Sequence, residues 1–152
     1  MKTSFSAVPD TNIVIASEKS KSGSSPNREF FERWRNCEFK ILYSDDTLLE
    51  YIEKMKEKDI PEEIIRKLIK SILKLGQYIQ VVFYHLPVYP NDPDDIAFLL
   101  CADNGKATHI VTYDVHLRDV EYFYSFRVCD SLEFLIELRG ELKEESKCIF
   151  RR

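Results

Sequence analysis

"AVPDTNIVIAS", Ala7 to Ser17, sets the polar trio Asp10-Thr11-Asn12 between apolar residues, with Val8 before it and Ile13, Val14 and Ile15 after it. A carboxylate among residues that favour burial costs free energy unless something compensates it. Residues 3–9 read as a first strand leading into the trio, which puts Asp10 just past a strand end. What Asp10 does there depends on what the rest of the chain brings to the same end.

Outward from that stretch, strand-like and helix-like pieces alternate. "SEKSKSGSSPN" (Ser17 to Asn27) is rich in Ser, Lys, Gly and Pro and reads as an exposed loop. "REFFERWRN" (Arg28 to Asn36) is a short helix with Phe30, Phe31 and Trp34 on one side, and "FKILY" (Phe39 to Tyr43) is a second strand. Ser44 caps a helix running to about Lys58, with Leu48, Leu49, Ile52 and Met55 on its apolar face. Pro61 opens another, in which Ile64, Ile65, Leu68, Ile69, Ile72 and Leu73 recur at helical spacing until Gly76. "YIQVVF" (Tyr78 to Phe83) reads as a strand. "DPDDIAFLLCADNG" (Asp92 to Gly105) starts with acids and proline and continues as a helix apolar on nearly all sides, so deep burial is expected. "THIVTY" (Thr108 to Tyr113) is a short buried strand and "FRV" (Phe126 to Val128) a last one. Asp130 or Ser131 caps a final helix through Leu138, and from Gly140 onward the chain is charged and reads as a loose tail.

Strands alternating with helices imply a mainly parallel sheet covered on both faces, a three-layer α/β/α domain. The 152 residues and 44% hydrophobic composition suit one domain with a sizeable core. Lys and Arg total 22 against 26 Asp and Glu, for a net charge of −4. That balance argues against purely electrostatic binding of nucleic acid. It does not exclude a nuclease, because carboxylates gathered at a metal site make a chain acidic and bound cations reverse their sign locally. Cys37, Cys101, Cys129 and Cys148 form no CxxC pair, and reduced thiols in a cytoplasmic protein are expected. No apolar run resembles a signal peptide or a membrane span.

Sites in such sheets form at the carboxyl ends of strands. Asp10, Glu50, the Asp92/Asp94/Asp95 cluster and Asp114 all fall at element ends or near them. Each has a bland explanation alone. Asp10 could cap a helix beginning at Thr11, the three clustered acids favour a helix N-terminus, Asp114 could begin a turn, and Glu50 could be a solvated helix residue. Together they suggest one acidic cleft. Like charges in close quarters raise each other's pKa, and hard divalent cations such as Mg²⁺ or Mn²⁺ relieve the repulsion through oxygen ligands. Such ions can activate water and stabilise charge on a phosphate during hydrolysis. No Ser-His-Asp order, Gly-rich phosphate loop or zinc spacing competes with this reading.

These residues resemble the PIN-domain nucleases over nearly the whole chain. The family's strand ending in Asp-Thr-Asn matches "DTNIVIA", and its Glu early in the helix after the second strand matches Glu50 in "SDDTLLEYI". The Asp-Pro-x-Asp run of one branch, which includes many predicted toxins of toxin–antitoxin pairs, matches "NDPDDIAFLL". A strand ending in Val-Thr-x-Asp matches "IVTYD". The resemblance implies metal ligation by Asp10, Asp95 and Asp114, with Glu50 as the second acid of the set, holding metal or positioning the attacking water. A one-residue gap would move the role of Asp95 to Asp94, and Asp92 is a supporting acid. Asn12 matches the polar residue that helps hold the site, and Thr112 the small hydroxyl residue near the last Asp. His116 stands where the branch often has a further acid, and Pro9 directly before Asp10 is unusual.

The resemblance thus implies a PIN-like nuclease domain over residues 1–140, followed by a charged tail over residues 141–152. It implies hydrolysis of RNA with Mg²⁺ or Mn²⁺ to leave a 5′-phosphate, a cognate antitoxin and a homodimer. Two other classes stand against it. One is a PIN-fold RNA- or protein-binding scaffold with little or no catalysis, against which the intact acids count. The other is a phosphoryl-receiver domain, which would want paired acids after the first strand where "VPDTN" supplies one. His109, inside an apolar strand, reads as a packed or hydrogen-bonded core residue, and Tyr89, Tyr113 and Tyr122 as core or rim residues that could also stack on bases. Lys54, Lys56, Lys58, Arg66, Lys67, Lys70 and Lys74 give the middle helices a basic tendency that could track a nucleic-acid backbone.

Overall fold

The computed structural model describes residues 2–19 and 25–150, with side chains described through residue 147. Strands β1 (Ser6–Pro9), β2 (Lys40–Tyr43), β3 (Gln77–Tyr78), β4 (His109–Val111) and β5 (Arg127–Cys129) form one sheet in the order β3-β2-β1-β4-β5. Every neighbouring pair is parallel. Parallel strands need crossover connections, and helices supply them: α1 (Thr11–Lys19), α2 (Pro26–Arg35), α3 (Asp45–Glu57), α4 (Glu62–Leu75), α5 (Ile96–Asn104), α6 (Val115–Arg118) and α7 (Ser131–Phe150). The chain winds outward from β1 to β3 and then returns to β4 beside β1. That reversal opens a crevice at the carboxyl ends of β1 and β4, the usual binding position in open α/β sheets.

The layers follow from where apolar side chains fall. α5 packs over β1, β2 and β4. Its Phe98, Leu99, Leu100, Cys101 and Ala102 are all buried, as a helix apolar on all sides requires. α2 and α7 meet in another layer around Phe30 and Phe134, whose rings lie 5.2 Å apart, with Phe39 4.9 Å from Phe30 and 4.8 Å from Phe134. Such aromatic pairs contribute about 0.5–1.5 kcal/mol each beyond their burial. Ser44 caps α3 in a reciprocal box with Thr47. Gly76 follows α4 because a Cβ there would lie 2.5 Å from the Ile72 carbonyl oxygen and 2.9 Å from the Tyr43 ring.

Several boundaries differ from the sequence reading, each for a physical reason. The stretch taken as a loop from Ser17 is helical through Lys19, and Pro26 and Asn27 already belong to α2; the residues between, 20–24, lie outside the described residues. The strand expected over Tyr78 to Phe83 pairs only at Gln77 and Tyr78, because its partner β2 ends at Tyr43. Beyond it, Asn104 replaces a strand partner: its Oδ1 accepts from the N–H groups of Val82 and Phe83 at 3.0 and 2.9 Å. The final helix runs to Phe150 rather than ending at Leu138, with Leu142 packed against the core. Asp130 caps it, since Asp130 Oδ1 accepts from the Glu133 N–H at 2.8 Å, while Ser131 is buried.

His109 is the buried core residue the sequence suggested. Its ring nitrogens lie 2.8 Å from Thr108 Oγ1 and 2.5 Å from Glu137 Oε2, and burial holds its pKa down. Cys37, Cys101 and Cys129 are free thiols. Among the described residues, no helix is long and apolar enough to cross a membrane.

Candidate functional site

Asp10 follows β1 and precedes α1, at the crevice between β1 and β4. Its carbonyl accepts the first helical bonds, from Ile13 at 3.0 Å and Val14 at 3.4 Å, so it does occupy the cap position of α1. Its carboxylate is buried, with 6% of the residue exposed. Thr112 Oγ1 donates to Asp10 Oδ2 at 2.8 Å, and the backbone N–H groups of Thr11 and Asn12 also face the carboxylate. Those donors favour the charged form. Burial outweighs them, and with the nearby Asp114 charge it leaves the Asp10 pKa above the usual carboxylate range.

Thr112 links the first acid to the last. Its hydroxyl donates to Asp10 and accepts the Asp114 N–H at 3.0 Å. Asp114 in turn caps the short α6, accepting the His116 N–H at 2.9 Å. Asp95 ends the 3₁₀ turn Pro93–Asp95 and leads into α5. It is buried, and its pKa is pushed up to about 7 by burial first, then by the charges of Asp10, Asp92 and Asp114 and a hydrogen bond with Asp114. Asp92 caps that turn through the Asp94 N–H at 3.0 Å. Capping accounts for Asp92 and Asp114, but Asp95 makes no side-chain cap bond, and capping leaves unexplained why it lies beside Asp10 and Asp114.

The remaining acids sit apart from this group. Glu50 is half-buried on α3, and its pKa is raised by burial and by Asp94, Glu53 and Asp92, against the opposing charge of Lys54. It shares a shallow groove with Asp94, Asp46 and Pro93. Asp94 is exposed and turns to Lys54, whose Nζ lies 3.3 Å from Asp94 Oδ2. Of the adjacent pair, then, Asp95 is the one beside Asp10 and Asp114. Asn12 contributes its backbone N–H, and its side chain is exposed.

The donor chemistry fits a hard divalent cation. The facing groups are carboxylates, partly dehydrated, and their repulsion is the kind that Mg²⁺ or Mn²⁺ relieves. Beside Asp10, the Thr11 hydroxyl is buried without a hydrogen-bond partner. Among the described residues, no three His, Cys, Asp or Glu side chains form a ready-made cage. The Asp95 carboxyl lies beside those of Asp10 and Asp114, which hold its pKa up. The fit is one of donor type and charge.

Two supports escaped the sequence reading. Tyr51, fully buried on α3, donates its hydroxyl to the Pro9 carbonyl at 2.5 Å. Asn27 at the start of α2 accepts from Tyr113 Oη at 3.0 Å and Ser131 Oγ at 2.5 Å, which braces the segment between Thr112 and Asp114. The only local signal was Asn27 directly after Pro26, where a helix can begin. Of the tyrosines considered for stacking, Tyr122 is 91% exposed, Tyr89 59% and Tyr113 49%.

A family model described as "PIN domain" matches residues 6–116, a span that runs from β1 through Asp10, Glu50 and Asp95 to just past Asp114. Among solved structures, the PIN domain of RRP44 from T. brucei superposes with a TM-score of 0.54 at 12% sequence identity. The alignment covers 97% of this chain and 88% of that one. At that identity the likeness concerns the fold. No curated protein matches the sequence.

Proposed function

The chain belongs to the PIN domain family, generally a metal-dependent nuclease fold, and from that premise we propose that it is a Mg²⁺- or Mn²⁺-dependent endoribonuclease. The observation that carries this reading is the buried Asp95 held beside Asp10 and Asp114, with its pKa at about 7. Asp10 and Asp114 follow strands on either side of the switch point of the sheet, and their charges make Asp95 harder to ionise.

In this reading Asp10, Asp95 and Asp114 hold the metal. A divalent ion held there would supply an acidified water and offset charge on the scissile phosphate. The chain's own residues set the stage. Thr112 fixes Asp10 Oδ2 with its hydroxyl and the Asp114 backbone with its lone pair. Asp95, whose pKa stands at about 7, would have to be ionised to hold a cation, so binding would be favoured as pH rises through neutrality. Glu50, at the edge of the neighbouring groove, orients the attacking water and can accept its proton at a carboxylate oxygen. Water attacks phosphorus in line as its proton passes to Glu50, the P–O3′ bond breaks, the 3′-oxygen leaves with the upstream fragment and takes a proton from solvent water, and the 5′-phosphate remains on the downstream fragment.

The test is cleavage of a mixed RNA pool with Mn²⁺, with EDTA as control. Asp10→Asn keeps the shape of the side chain and removes its charge, so cleavage should fall by orders of magnitude. Wild-type cleavage that survives EDTA, or full activity in Asp10→Asn, would refute the mechanism. The reading extends, on the Asp-Pro run alone, to the toxin of a toxin–antitoxin pair with a cognate antitoxin and a homodimeric state. A small neighbouring reading frame whose product binds this chain and blocks its cleavage is the expected observation.

A further inference from the structure

The β1–β2 ladder stops early, next to the first acid. Its register pairs Ser6 with Lys40 and Ala7 with Ile41, and the Lys40 N–H donates to the Phe5 carbonyl at 3.0 Å. In the same alternation, the next bonds would run from the N–H of residue 9 to Leu42 and from the Ser44 N–H to the carbonyl of residue 9. Neither forms. Proline has no N–H. The Ser44 N–H donates instead to Thr47 Oγ1 at 2.9 Å, within the box that caps α3.

The Pro9 carbonyl is thus cut loose from β2, and it belongs to the peptide that carries the Asp10 nitrogen. Tyr51 supplies the missing donor, its hydroxyl 2.5 Å from the Pro9 oxygen. On the other side, the Asp10 N–H donates to the Val111 carbonyl at 2.8 Å. The peptide entering Asp10 is therefore held at both ends, by β4 through the main chain and by α3 through one side chain. The Tyr51 ring also lies 5.7 Å from the ring of Phe98, about one turn beyond Asp95 on α5. Tyr51 is the residue after Glu50. One buried side chain therefore touches the supports of Asp10 and Asp95 and shares a helix with Glu50.

We propose that Tyr51 is a positioning residue of the acid site: its hydroxyl replaces the sheet donor lost at Pro9 and fixes the peptide plane that aims Asp10. The proposal deepens the nuclease reading and rests on it for any catalytic consequence. Lost positioning should appear as a fall in kcat rather than in substrate affinity, because RNA contacts are untouched.

Tyr51→Phe keeps the ring and removes only the hydroxyl. The control is a core variant away from the acids, Phe31→Leu, with its loss of melting temperature measured alongside. Three readouts separate the ideas. Amide hydrogen exchange at Asp10, Thr11 and Asn12 should accelerate about tenfold in Tyr51→Phe beyond any change in Phe31→Leu. The Mn²⁺ concentration for half-maximal thermal stabilisation should rise about tenfold. The kcat on RNA should fall about tenfold or more, with KM within about twofold. If Tyr51→Phe matches Phe31→Leu in exchange at residues 10–12, Tyr51 only fills the core and the proposal is overturned. If the wild type neither binds Mn²⁺ nor cleaves RNA, the nuclease reading fails, while the exchange measurement still decides the role of Tyr51.

Discussion

Replacing Asp95 by Asn removes a charge that the metal-free fold disfavours. Asn keeps the shape and can still donate to Asp114, as the protonated acid does. The Asp95 pKa stands at about 7 in the folded chain against 3.8 for an unperturbed group. A carboxyl raised in this way destabilises the fold as pH climbs from the unfolded value towards the folded one, and the penalty is complete above the folded value. The gap of about three units has an unscreened ceiling of about 4 kcal/mol. Asp95 lies beside the charges of Asp10 and Asp114, so solvent screening and coupling reduce the figure to about 1–2 kcal/mol. For a domain of this size that is a shift of roughly 3–6 °C. In EDTA, Asp95→Asn should therefore melt near the wild type at about pH 3.5, should already exceed it by about a third of that amount at about pH 5, and should exceed it by the full amount at about pH 8. His109, whose pKa burial holds down, titrates in both proteins and largely cancels in the difference. Added Mn²⁺ should reverse the order at the higher pH, because only the wild type keeps the full donor set. Thermal melts across this pH range, with and without Mn²⁺, make the measurement. A difference that does not vary with pH, or a mutant less stable than the wild type at high pH in EDTA, would refute the argument.

Two further outcomes separate roles within the site and around it. Glu50→Gln should lower kcat by about a hundredfold and leave Mn²⁺-induced stabilisation nearly intact, since Glu50 neighbours Asp94 and Lys54 rather than Asp10; calorimetric loss of Mn²⁺ binding would move it into the metal-holding set. Lys67→Ala should weaken RNA binding modestly and reduce the salt slope by about one, because Lys67 lines a cleft of about 500 Å³ with Arg28 and Arg35; an unchanged slope in a binding titration would take RNA off that face.

The parts of the fold legible in the sequence were those with a strong local rule. Ile64 to Leu73 repeat at helical spacing and form α4, and the apolar run after Asp95 forms a helix buried as its composition demands. α1 was not assigned in its own right, because Ile13, Val14 and Ile15 in succession suit a strand as well as a buried helix. What decides is Asp10, which ends one element and caps the next. Tyr78 to Phe83 failed for the opposite reason. Its residues favour a strand, but pairing needs a partner, and β2 ends at Tyr43. The sequence could not show where that partner stops.

The acids were legible one at a time, and their supports were not. Asp94 and Asp95 are neighbours in the chain, and only burial separates the one facing Asp10 from the one facing Lys54. The bonds that brace the site join residues 42, 86, 102 and 104 positions apart, beyond any periodicity or capping rule. They also bear on why a carboxylate sits in the apolar setting of "AVPDTNIVIAS". Capping α1 explains a polar residue at position 10, and Thr112 with two backbone amides supplies the donors such a cap needs. A carboxylate needed only for capping gains nothing from an acid beside it, and the Asp114 charge makes its ionisation harder. The fold places these acids at the crevice its topology creates, and under the proposed function a cation would be the partner that turns the cost into binding energy.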